Sequence, residues 1–296
     1  MNKRVLITGS TGLIGRYIAS VLDRKHDLHL ASRSGQPIAQ GPTIPFNLMQ
    51  INAISEWLDS LAPEIIIHTA AITSADQAQV QPNDAEVLNV DATAMIADWC
   101  QKKGARLIYF STDFVFDGSR RDVCESDAPK PLSWYGETKW RSEERIRSTL
   151  GNHVIIRPIL VYGAAVNLSR LNFPLLIRSK LMSGTEMEIT ADQFRMPTYA
   201  MDIAKAVDRL TESEFTGTLH LAGPDWMSVY TFAETVADVF DLDKRLLKPV
   251  RTEALNFSAR RPLLSGFDTS RAKKEVDWDP IGVNQALIQM KDIGQA

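Results

Sequence analysis

The chain has little cysteine. Two residues of 296, Cys100 and Cys124, stand far apart with no Cys-x-x-Cys or Cys/His spacing. That pattern excludes a disulfide framework, a redox dithiol and a preorganised zinc site, so a reduced cytoplasmic setting with no metal is expected. Long apolar runs are missing as well, and nothing approaches the roughly 18 consecutive apolar residues of a membrane span. Met1 to Ile7 carry Lys3 and Arg4 but too few apolar residues for a secretory signal, so a soluble, unprocessed protein is expected. Neither sign of charge is in excess: 33 Lys and Arg face 36 Asp and Glu, for a net charge of -3. This gives no broad electrostatic footprint for nucleic acid or an anionic membrane. Gly (16) and Pro (14) are too few for a low-complexity chain, and no internal repeat is present. What remains is a 44% hydrophobic, 23% charged mixture of globular type, long enough for one large or two modest domains around a cleft.

The first half alternates short apolar runs with longer amphipathic ones. Val5–Ile7, Leu28–Ala31, Ile44–Phe46, Ile65–His68, Leu107–Phe110 and Val154–Ile156 read as strands. Ile14–Leu22, Ile51–Leu61, Ala85–Gln101 and Tyr135–Thr149 read as the intervening helices. Short β-rich runs buried on both faces predict an α/β fold with a doubly wound parallel sheet of Rossmann type. After Gly163 the alternation loosens into helices at Leu171–Met182, Ala200–Leu210 and Tyr230–Phe240, with strands at Met187–Thr190 and Thr218–Leu221. The expected division is a dinucleotide-binding domain over 1–165, with returns near 199–222, and a smaller, interleaved C-terminal substrate lobe over 166–198 and 223–296.

Thr8-Gly9-Ser10-Thr11-Gly12-Leu13-Ile14-Gly15 follows the first strand and opens the first helix. Glycines there allow a tight turn and a close backbone approach to a pyrophosphate, which the free amides and positive end of the helix stabilise. Gly9 through Gly15 are therefore cofactor-binding candidates, and the Gly-x-x-Gly-x-x-Gly spacing is that of short-chain dehydrogenases/reductases. At the end of the second strand, where an NAD site places a carboxylate, stand Ser32-Arg33-Ser34. A guanidinium can fork a 2′-phosphate, so Arg33, with Ser32, points to NADP(H) in preference to NAD(H). Asn47 and Leu48, after the third strand, join the cofactor set.

Strand Leu107–Phe110 ends in Ser111-Thr112-Asp113, and Tyr135-Gly136-Glu137-Thr138-Lys139 opens a helix downstream. Tyr135 and Lys139, four apart, share a helical face. An ammonium beside a phenol is expected to lower the phenol pKa, which suits Tyr135 to proton exchange with a carbinol or ketone oxygen. Thr112, at a strand's carboxyl end, can hydrogen-bond that oxygen.

With these motifs the chain resembles the extended short-chain dehydrogenase/reductase superfamily, in its dTDP-4-dehydrorhamnose reductase branch. The likeness extends to His68-Thr69-Ala70-Ala71, Asn89-Val90-Asp91, Ser111–Gly118, Arg157–Gly163, Pro197-Thr198-Tyr199, Gly217–Gly223 and Arg261-Pro262. It implies Thr112, Tyr135 and Lys139 as the catalytic set, Asp113 and Asn172 near a sugar, and Ala70, Ala71 and Arg33 near the cofactor. One loop departs from the branch: Asp192-Gln193 is followed by Phe194-Arg195-Met196 rather than glycine. A similar loop occurs in the regulatory β-subunit of methionine adenosyltransferase, an NADP-binding relative that serves as a partner. Arg195 is read either as a phosphate-binding residue of the substrate site or as a surface charge.

Other residues have plainer readings. His68 is expected to pack beside the cofactor, and His26, His29, His153 and His220 are scattered without metal spacing. Asp76 and Glu86 are read either as lining the cleft or, more commonly for such positions, as solvated helix-start carboxylates, and Arg141–Arg147 as a solvated helix face. The expected activity is NADPH-dependent reduction of a keto group on a nucleotide-linked deoxy-sugar. The alternatives are a non-catalytic NADP-binding regulatory subunit and a sugar-nucleotide epimerase. A sugar nucleotide is the expected partner, no nucleic acid or membrane is, and a homodimer is compatible with the sequence.

Overall fold

The computed structural model describes residues 2–164, 168 and 170–293. Its centre is a seven-stranded sheet formed by β1 (Arg4–Thr8), β2 (Asp27–Ser32), β3 (Ile44–Pro45), β4 (Ile65–His68), β5 (Arg106–Phe110), β6 (His153–Pro158) and β7 (Gly217–Leu221). All pairings in it are parallel, and the order is β3-β2-β1-β4-β5-β6-β7. Val5 pairs with Leu28 on one side and Ile65 on the other. Strand order therefore reverses between β1 and β4, and the crevice outside their carboxyl ends is where such sheets receive ligands. The middle strands can lie there because they are apolar on both faces: Ile65, Ile66 and Ile67 are at most 3% exposed.

Two apolar layers cover the sheet. On one face Val5, Ile7 and Leu219 pack with Ile18 and Leu22 of α1 (Leu13–Leu22) and with Ile203 and Val207 of helix Ala200–Glu212. The same cluster continues into Ile177, Phe232 and Leu287 of the C-terminal helices. On the other face Leu6, Tyr109 and Ile155 pack with Leu58 of α2 (Ile54–Leu61), Ile96 of α3 (Ala92–Lys103) and Ile146 of α4 (Trp134–Thr149). Smaller sheets build the C-terminal part: Phe194–Arg195 lies between Met227–Ser228 and Leu264–Ser265, and Met187–Thr190 pairs with Leu247–Val250.

The expected α/β architecture is present, with local differences. The helix expected over Ala85–Gln101 is present as a continuous run that begins at Pro82 and carries a π-helical stretch, Glu86–Asp91, before α3. The cause is Asn89, whose carboxamide bonds to the backbone N and O of Ile72 and to Thr138 Oγ1, while its carbonyl accepts from Thr93 and Ser142. These polar commitments pull one residue out of the ladder. Beyond Phe240 the sequence pattern assigned nothing, yet Leu247–Val250 is a strand and Ser270–Val276 and Val283–Ile293 are helices. The domain boundary expected at 165/166 lies outside the described residues. No helix among the described residues is long and apolar enough to cross a membrane.

Candidate active site

The loop between β1 and α1 assigns each glycine a separate duty. Gly9 has φ +70, and a Cβ there would stand 2.7 Å from Ala70 N. A Cβ on Gly15 would stand 2.5 Å from Gly9 O, so the helix can approach the loop only without a side chain. Gly12 is exposed at the crevice, and a Cβ there would meet only Gly9 O, at 3.2 Å. It occupies the N-cap of α1 with no side-chain cap and no acidic residue in the first turn, which leaves helix amides to an anion. The Ser10 hydroxyl is fully buried and donates to Ala31 O, fixing the loop to the end of β2. Thr11 O accepts from Arg16 Nε, and Leu13 and Ile14 begin α1 half-buried.

Arg33 is exposed just past β2, whereas Ser32 is buried, its hydroxyl accepting from Gly35 N and facing Thr43 Oγ1. Across the crevice, Ala70 and Ala71 are half-buried after β4, and Thr69 Oγ1 donates to Thr8 O. Asn47 Oδ1 accepts from Met49 N to shape the turn, and Leu48 is buried beneath it. His68 has both ring nitrogens engaged, Nδ1 with Thr8 Oγ1 at 2.7 Å and Nε2 with Thr93 Oγ1 at 3.2 Å. Burial, with the Lys139 charge nearby, pulls its pKa down to about 3, so it is neutral. Among the described residues no His, Cys, Asp and Glu cluster could hold a metal, and Cys100 and Cys124 are free thiols.

Thr112, Tyr135 and Lys139 come together beyond β5, each at most 7% exposed. Thr112 caps the turn Asp113–Val115 by accepting from Phe114 N, and its hydroxyl donates to Asp113 Oδ1 at 3.2 Å. Ser133 caps α4, whose first two turns carry Tyr135 and Lys139 on one buried face. The Lys139 ammonium lies over the Tyr109 ring, 4.1 Å from its centroid. Burial pulls Lys139 down to about 7, against the attraction of Glu143. The expected lowering of the phenol is reversed here: burial raises the Tyr135 pKa, Asp113 raises it further, and the hydrogen bonding of Thr112 opposes both. Desolvation of the phenolate outweighs the favourable partners.

The substrate side shows larger corrections. Arg195 is 4% exposed, which removes the surface-charge reading. Its guanidinium donates to the carbonyls of Phe194, Leu263 and Pro262 and to Gln193 Oε1, and it faces the buried Asp113 carboxylate. The Asp76 side chain is 36% exposed but also committed to its own chain. It accepts from Ala259 N and pairs with Arg261, whose guanidinium covers the Phe257 ring. Glu86 pairs with Arg141 at 2.7 Å. Asn172 sits at the N-cap of helix Phe173–Met182, where its Nδ2 donates to Gly163 O and its buried Oδ1 has no partner among the described residues.

The Arg141–Arg147 stretch is exposed on one side only. Ser142, Glu143 and Ile146 are buried, and Glu143 receives Arg157 Nε at 2.9 Å and Nη2 at 2.6 Å, Arg147 at 2.5 Å, and the Ser111 hydroxyl. Arg157 reaches on to His220, which stacks on Phe267 at 3.8 Å. The available signal was the interval Tyr135, Lys139, Glu143: three polar residues spaced by four on one helical face.

A dinucleotide-type loop, a strand-end hydroxyl and a buried Tyr/Lys pair on this sheet define the extended short-chain dehydrogenase/reductase superfamily. Within it, the family described as RmlD substrate binding domain matches residues 3–293, and the chain belongs to that family. A solved structure of dTDP-4-dehydrorhamnose reductase from Bacillus anthracis str. Ames, in complex with NADP, has a TM-score of 0.89 and 26% identity, covering 99% of this chain and 100% of that one. Methionine adenosyltransferase 2 subunit beta of Pongo abelii is 33% identical over 278 residues, 91% of this chain and 81% of the relative. The probable low-salt glycan biosynthesis reductase Agl14 of Haloferax volcanii is 28% identical over 273 residues, 91% of each.

Proposed function

We propose that the protein is an NADPH-dependent reductase of a keto group on a nucleotide-linked deoxy-sugar. The observation that supports this reading is the burial of Thr112, Tyr135 and Lys139 around the end of β5, with the Lys139 ammonium over the Tyr109 ring. The residues fit the cofactor. Gly9, Gly12 and Gly15 with the uncapped start of α1 would hold the pyrophosphate, Arg33 the 2′-phosphate, and Asn47, Leu48, Ala70 and Ala71 would line the nucleoside portion. When bound, this cofactor supplies the hydride.

The chain's own residues manage the proton. Tyr135 is the general acid: a phenol kept neutral by burial holds its proton until negative charge grows on the carbonyl oxygen. Thr112 hydrogen-bonds that oxygen, and the Lys139 ammonium favours the phenolate left behind. Asp113 and Asn172 are assigned to the sugar. Arg195, whose two terminal nitrogens bond to its own chain, supports the Asp113 wall. The first 165 residues with the 199–222 returns form the cofactor domain in this reading, and the rest the substrate lobe. The setting is cytoplasmic, with neither nucleic acid nor membrane as partner.

The test is incubation with NADPH and a panel of 4-keto-6-deoxy sugar nucleotides while following absorbance of the reduced nicotinamide. Oxidation with at least one member is expected. Tight NADPH binding without turnover on any member would favour a second reading, an NADP-binding regulatory subunit. That reading draws on the 33% identity to the methionine adenosyltransferase subunit and on the Gln193–Thr198 loop.

A further inference from the structure

The buried Lys139 ammonium rests against an aromatic face. Tyr109 of β5 is 0% exposed and packs with Leu107 and Ile146 in the apolar layer between the sheet and α4. Its ring centroid is 4.1 Å from Lys139 Nζ, well within the range in which the electron-rich face of a ring attracts a cation. The phenol hydroxyl takes no part: it is buried and has no hydrogen-bond partner among the described residues. Tyr109 thus meets the ammonium through its ring alone.

That ring is held in place from the neighbouring strands. Tyr109 pairs in register with His68 of β4 on one side and with Ile155 of β6 on the other. The His68 ring stacks against it, with centroids 5.8 Å apart and an interplanar angle of 29°. His68 is fixed in turn, one nitrogen engaging Thr8 and the other Thr93.

The remaining groups around Lys139 offer its charge no bound anion. β4 presents His68, which burial keeps neutral, and β5 presents Tyr109, which burial keeps protonated. α4 itself contributes Tyr135, likewise a neutral phenol, and Glu143, which attracts the ammonium from a distance. Among the described residues the Glu143 carboxylate is paired with Arg157 and Arg147 and accepts from Ser111, and no carboxylate is paired with Lys139. A buried cation without a paired anion needs another source of stabilisation, and a ring face attracts a cation more strongly when both are withdrawn from water.

We propose that Tyr109 is a positioning residue of the acid–base pair: its ring face carries the Lys139 ammonium and holds it on the side of α4 that bears Tyr135. The catalytic meaning rests on the reductase reading, whereas the contact itself belongs to the free protein.

The test uses protein labelled with 13Cε-lysine, in which the Lys139 resonance is identified by its loss in Lys139→Met. Two replacements keep the ring and its packing. Tyr109→Phe removes only the hydroxyl and should leave the Lys139 titration midpoint in place. Pentafluorophenylalanine in place of Tyr109 is close in size but has an electron-poor face, so the midpoint should fall by about one pH unit or more. The basic limb of the pH–kcat profile should move down with the fluorinated ring and stay in place in Tyr109→Phe. A midpoint that stays or rises with the fluorinated ring overturns the proposal, as does an equal fall in Tyr109→Phe. A pH–kcat profile that ignores the fluorinated ring while the midpoint falls overturns the positioning role. The NMR titration needs no substrate, so a failed reductase assay and a failed proposal give different results.

Discussion

Two arginines separate the cofactor side of the crevice from the substrate side. Arg33 is exposed past β2, while Arg195 is 4% exposed and surrounded by three carbonyls, a glutamine oxygen and the Asp113 carboxylate. Arg33 follows β2, Arg195 lies in the strand Phe194–Arg195, and both were candidate phosphate ligands. An exposed guanidinium remains available to a ligand, whereas a buried one whose terminal nitrogens bond to nearby carbonyls holds its own chain together. The same contrast divides Tyr135, buried and proposed as the proton donor, from Asp76, which fastens the 259–261 loop.

Tyr135→Phe gives the largest expected effect. Reduction should fall by about 100- to 10,000-fold with NADPH affinity and folding nearly unchanged, since only the proton donor is lost. Steady-state kinetics with fluorescence titration of NADPH measures both, and retention of most turnover would assign the proton to another group. For Arg195→Met the opposite is expected. Stability should fall by about 3–5 kcal/mol, because Asp113 and three carbonyls lose their buried partner. Chemical denaturation with an unchanged midpoint would return Arg195 to the ligand-facing class.

His68 sharpens the comparison through pH. Its folded pKa, about 3, lies below its ordinary value of 6.5. As pH falls through that window the unfolded chain takes up the proton first, so stability is lost on acidification by up to about 1.4 kcal/mol per pH unit. His68→Gln should flatten that part of the stability–pH curve, and an identical slope in the variant would refute the assignment. The smallest effect is expected at Arg33. NADPH should bind about tenfold more tightly than NADH, worth about 1.4 kcal/mol, and Arg33→Asp should erase or invert the preference. Equal affinities in the unsubstituted protein would place Arg33 with the solvated charges.

The cofactor half was legible because its signals are local. Glycines at 9, 12 and 15 between an apolar strand and an amphipathic helix need no distant partner to be read, and Tyr135 and Lys139 declare a shared face by their spacing. The substrate half was not, because the meaning of its polar residues depends on chain far away. Arg195 is buried by the 262–263 segment, Asp76 is paired with Arg261, and the helix expected over Ala85–Gln101 carries a π-helical stretch where Asn89 bonds to Ile72 and Thr138.

By itself the sequence determined a parallel α/β sheet and the place of the glycine turn between its first strand and helix, since periodicity and glycine act within a few residues. Only the tertiary structure decided which charges are spent internally. Glu143, Arg157 and Arg195 look like their solvated neighbours in one dimension, and burial of an ion is set by what the rest of the chain lays over it.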